Sequence, residues 1–218
     1  MGMDLIAIIG HKLTSSKILD IPKRIDDSKG ILEVFRSDKP TGKIRISKWE
    51  GPFPMTAKNI DLIWEGLRTN QDLQGDGFNY YSDLDTYFGD LAIYEKTITV
   101  SPNPEHKYGN LEIPDACEYI IKLNREIAKL FNANQIVYCA DSYVSTGVLD
   151  EKGREGWSIN EIINFGINKF GEPPKEMNQA VHNYFFIDSF DLNPKDLDPN
   201  RKVWSRYHDE YEKSKKKK

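Results

Sequence analysis

The chain has 218 residues, of which 39 % are hydrophobic and 29 % charged, with a formal net charge of −4. That length and composition suit a globular protein with a sizeable buried core, and they exclude a wholly disordered chain. Two cysteines, Cys117 and Cys139, are too few for a disulfide framework and too far apart for a zinc knuckle, so both are expected as small core residues in a reducing cytosol.

The first element expected is a strand over residues 4–9, because a short continuous apolar run ending at Gly10 is the pattern of a strand covered on both faces. The same run is shorter than a secretion-signal core and lacks a basic leader. No segment approaches the length of a membrane span, so a cytoplasmic protein is expected. Thr14, Ser15 and Ser16 offer caps for a short helix, and Pro22 limits its length. Residues 31–36 and 43–49 read as two strands of a hairpin, with Asp38, Pro40 and Gly42 supplying the turn.

Ala57, Ile60, Ile63, Trp64 and Leu67 have helical spacing, which predicts a helix over 56–68 with Thr56 as its cap. A second helix, over 115–131, follows from the stripe Ala116, Ile120, Leu123, Ile127 and Leu130. Residues 135–140 read as a buried strand, and 150–153 as a hairpin turn. Ser158 and Glu161 have the spacing of a capping box, with Trp157 placed to staple against Ile162. The helix they open should stop at Gly171, ahead of Pro173 and Pro174. A last strand is expected over 184–190.

Helices and strands therefore alternate without a strict repeat. The expected fold is α+β, a single domain over 1–199 with a mixed β-sheet packed by helices. From Asn200 onward the chain holds eight Lys/Arg and three acids, against 22 and 31 in the rest. Residues 200–218 are expected to form a charged, lysine-rich, partly disordered tail on an acidic body.

The strongest chemical signal lies between Thr69 and Glu95. These 27 residues hold six acids and six aromatics but no lysine or arginine. If residues 78–88 form a strand, Phe78, Tyr80, Leu84 and Phe88 share one face, while Asn79, Tyr81, Asp83, Asp85 and Tyr87 share the other. The second face would present carboxylates between phenols and suit a basic protein partner, with Tyr81 and Tyr87 giving rigid contact area and Asp83 and Asp85 giving steering. Leu84, Tyr87, Phe88 and Leu91 also have helical spacing with Ser82 as cap, although Gly89 opposes that helix. Asp72, Asp76, Asp83 and Asp85 lack the residue order of a calcium loop. No metal or cofactor is expected.

A second candidate lies where the first strand ends. Lys12, Ser15 and Ser16 form a weak anion-binding set beside His11, without the residue order of a phosphate loop. Asp141 and Ser142 follow the strand over 135–140. If the two strands ended at one sheet edge, His11 and Asp141 would form an acid-base pair with Ser142 beside it. The leading expectation is a cytosolic protein-interaction module, comparable at the level of fold class with bacterial immunity proteins that inhibit toxins. The alternative is a small-molecule or phosphoester enzyme built on the His/Asp pair. The acidic body argues against a nucleic-acid partner despite the terminal lysines.

Overall fold

The computed structural model describes residues 4–20, 46–50, 56–68, 78–82, 90–100, 111, 113–140, 145–180 and 185–192. Seven strands are β1 (Leu5–Gly10), β2 (Ile46–Glu50), β3 (Phe78–Ser82), β4 (Asp90–Ile93), β5 (Thr97–Val100), β6 (Gln135–Ala140) and β7 (Phe186–Ser189). Among the described residues five α-helices accompany them: α1 (Ser15–Ile18), α2 (Ala57–Arg68), α3 (Pro114–Leu130), α4 (Val148–Arg154) and α5 (Ile159–Phe170). The strands form one sheet in the order β2-β3-β4-β5-β1-β6-β7. The fold is α+β.

Each of the six described pairings is antiparallel, where the sequence suggested a mixed sheet. The continuous apolar runs of β1 and β6 prompted that expectation, and the structure gives their cause: helices cover both faces of the sheet's centre. Leu5, Ala7 and Ile9 of β1, with Ile136, Tyr138 and Ala140 of β6, pack with α2 and α3. The alternate residues Ile6, Ile8, Val137 and Cys139 pack with Leu149 of α4 and Ile162 of α5.

α3 buries Ile120, Leu123 and Ile127 completely. Each such side chain contributes about 1.5–3 kcal/mol of transfer free energy. Pro114 opens the helix, where its missing N–H costs nothing. Asn132, at φ 54°, reverses the chain at the other end, and the Ala133 amide closes back on the Ala128 carbonyl at 3.0 Å. A short asparagine side chain tolerates this left-handed backbone better than most residues. α2 is capped as expected, Thr56 Oγ1 accepting from the Asn59 amide at 3.2 Å.

Residues 150–153 are helical in α4, a correction to the hairpin expected there. Asp150 and Glu151 occupy its first turn and Lys152 and Arg154 its last, a charge order that favours a helix. Asp150 is buried, accepting from Thr99 Oγ1 at 2.6 Å and from Arg154 Nε one turn later at 3.3 Å. Gly153 lets α4 lie close on β5: a Cβ there would sit 2.8 Å from Thr97 Oγ1.

The α5 capping box forms as its sequence indicates. Ser158 Oγ accepts from the Glu161 amide at 3.4 Å, and the Ser158 amide donates to Glu161 Oε2 at 2.7 Å. Gly171, at φ 87°, follows the helix end. On β7, Asp188 points inward and binds Arg125 of α3 through two bonds, Nε to Oδ2 at 2.8 Å and Nη2 to Oδ1 at 2.6 Å. The expected hairpin partner strand over 31–36 and the tail over 200–218 lie outside the described residues.

Candidate functional site

Antiparallel pairing brings the end of β1 to the start of β5 and the start of β6, with Gly10 opposite Thr97 and Ile9 opposite Ile136. A pocket of about 990 Å³ opens at this end of the sheet. Its walls come from the β1–α1 loop (residues 10–15), the β4–β5 turn (Glu95, Lys96), the α3–β6 turn (131–135), the start of α5 (158–160), and Asp61 and Trp64 of α2. Gly10 is needed for this closure, because a Cβ there would meet Ile159 Cγ2 at 2.7 Å and Ile159 Cβ at 2.9 Å.

His11 lies in the wall and is only 7 % exposed. Its ring is flanked by Trp64 and Phe131, with centroids 6.4 and 6.3 Å away. Both ring nitrogens are engaged by backbone. Nδ1 accepts from the Leu13 amide at 3.1 Å, which leaves Nε2 to donate to the Tyr94 carbonyl at 2.9 Å. Burial holds the imidazole below its ordinary pKa, against contacts with the Tyr94 and Thr97 backbone that favour the cation. The ring is thus a neutral bridge between the β1–α1 loop and the β4–β5 turn, with no lone pair turned to the pocket.

The expected partners of His11 fare differently. Ala140, which precedes Asp141, pairs with Leu5, at the opposite end of β1 from His11. The strands are neighbours, as an acid-base pair would require, but their opposite directions send the β6 exit to the far end of the sheet. Asp141 and Ser142 themselves lie outside the described residues. Of the anion set, Lys12 and Ser15 line the pocket, while Ser16 Oγ lies 3.0 Å from Thr14 Oγ1. Lys96, from the β4–β5 turn, is a second exposed cation in the pocket wall. Its backbone carbonyl accepts from the His11 amide at 2.9 Å, so the two lysine-bearing segments are joined. No spacing pattern in the sequence links Lys96, Trp64 or Asn132 to His11, because the sheet register alone brings them together.

Of the acidic segment's two described acids, Glu95 lines this pocket and Asp90 does not. Tyr81 lies in β3 opposite Asp90 of β4, and β4 continues with Leu91 opposite Val100. Val100 pairs with Ala7, so Asp90 belongs to the sheet end remote from the pocket. Asp83, Asp85 and Tyr87 lie outside the described residues. Among the described residues no group of three or more His, Cys, Asp or Glu is placed to hold a metal ion. No described helix is long and apolar enough to cross a membrane.

Comparison of the chain with protein-family models, with curated proteins and with solved structures returns no significant match.

Proposed function

We propose that this chain is a protein-interaction module that binds a basic protein partner through its acidic, tyrosine-bearing segment, in the manner of an immunity-type inhibitor acting in the cytoplasm. The observation that carries the reading is the run of six acids without a lysine or arginine between Thr69 and Glu95. A surface of one sign accelerates encounter with an oppositely charged partner, and phenol rings add contact area at low entropic cost. The attachment of the segment supports the reading. Ser82 ends β3 and Asp90 begins β4, its antiparallel neighbour, and Asp83, Asp85 and Tyr87 fall between them in the sequence. The enzymatic alternative, with His11 and Asp141 sharing a sheet edge, draws no support from a neutral, backbone-bound His11 and an antiparallel β6.

The test is a calorimetric titration against the basic proteins encoded beside this chain, purified individually, with wild type and Asp83→Lys/Asp85→Lys. Binding by the wild type, weakened at least about tenfold by the double substitution and with a shallower salt dependence, is the expected result. A partner bound equally well by both chains, at every ionic strength, would remove this segment from the interface.

A further inference from the structure

His11 joins the β1–α1 loop to the β4–β5 turn through its amide and its ring. Its amide donates to the Lys96 carbonyl, its Nε2 to the Tyr94 carbonyl, and its Nδ1 accepts from the Leu13 amide. Only the last of these bonds requires an unprotonated nitrogen. Once Nδ1 carries a proton it becomes a donor aimed at another donor, and the Leu13 amide must turn away. The Nε2 bond survives the same event, since that nitrogen already donates. Protonation therefore acts on one side of the ring, the side holding the loop that forms a pocket wall.

We infer that His11 is an acid-sensitive latch on the sheet-end pocket: protonation at Nδ1 releases Leu13 and loosens the wall formed by residues 12–15, while the anchor to Tyr94 holds. Lys12 on its own loop, Asp61 on α2, and Glu95 and Lys96 on the β4–β5 turn line the same pocket, two cations against two acids. The nearest ring neighbours, Trp64 and Phe131, are uncharged, and Lys129, in the last turn of α3, is held by Glu126 at 2.7 Å. Burial, not an ion pair, thus sets the behaviour of the ring.

The sign follows from that burial. With the folded-state pKa below the ordinary value of 6.5, the latch is fully closed above pH 6.5 and is lost as pH falls through the lowered value.

Amide hydrogen exchange on the full chain tests the latch. Between about pH 7.5 and a pH at which the ring nitrogen shifts show the imidazole protonated, after correction for the intrinsic exchange rate, protection of the Leu13 amide should fall at least about tenfold, while that of the buried Ile8 and Val137 amides holds. In His11→Gln the pH dependence at Leu13 should disappear. Unchanged Leu13 protection while the wild-type ring titrates would overturn the inference, as would an equal pH response in the variant. Should the variant not fold, the ring nitrogen shifts of the wild type decide. An unprotonated Nδ1 at neutral pH that gains its proton as the Leu13 amide shifts is required, and a protonated Nδ1 at neutral pH refutes the latch.

Discussion

Asp188→Ala offers a quantitative probe of how the sheet edge is held. Asp188 is 4 % exposed, and its carboxylate takes both guanidinium bonds from Arg125, at 2.6 and 2.8 Å. Breaking a fully buried pair by removing one partner costs about 3–5 kcal/mol, because the other charge is stranded. Exposed pairs contribute about 0–1 kcal/mol. The Arg125 side chain is 39 % exposed and lies over the Phe190 ring at 5.1 Å, so after the substitution it can reach water without leaving its stacking position. The expected loss falls between the two limits, at about 2 kcal/mol. For a chain of this size 1 kcal/mol corresponds to about 2–4 °C, so calorimetry should show Tm lowered by about 4–8 °C. Asp188→Leu with Arg125→Met should recover much of that loss, since an apolar pair leaves no charge unpaired. A Tm within about 1 °C of wild type in Asp188→Ala would refute the premise that this ion pair secures β7 to α3.

Two further outcomes follow from close packing and burial. Gly10→Ala should destabilise by about 1–3 kcal/mol in a denaturant titration, and Ile159→Ala should restore only part of this, because the clash reaches Ile159 Cβ as well as Cγ2; an unchanged midpoint would show that β1 and α5 are not this close. Burial pushes the Cys117 thiol up to about 11, and Cys139 is fully buried, so at about pH 8 a thiol reagent should modify both about a hundredfold faster in denaturant than in the native protein.

Much of the secondary structure was legible, because local patterns determine it. The spacings in α3, the Ser158–Glu161 box and the apolar run of β6 each specify an element whose stabilising contacts repeat within a turn or a strand. Residues 150–153 misled because a Gly-containing, charged stretch resembles a turn; the buried Asp150–Thr99 bond that draws it into α4 joins residues far apart in the chain. Strand direction was illegible for the same reason. An apolar run reports burial on both faces and says nothing about which way its neighbour runs. That gap affected the site most directly, since His11 and Asp141 share an edge only if β1 and β6 are parallel. The pocket around His11 was half visible, through Lys12 and Ser15, and its other walls come from segments that meet only once the sheet exists.

The position of β1 also governs how the chain must acquire its shape. The strand emerges before its partners, which are β5, with Ala7 opposite Val100, and β6, with Leu5 opposite Ala140. The second contact spans more than half the chain. A centre built from such distant pieces raises the entropic barrier to folding and slows the search relative to helical proteins with local contacts. On the ribosome the apolar segment Leu5–Gly10 must therefore wait, unpaired with β6, until that strand has been made. The exposure of that apolar segment during synthesis is the weakness this arrangement creates.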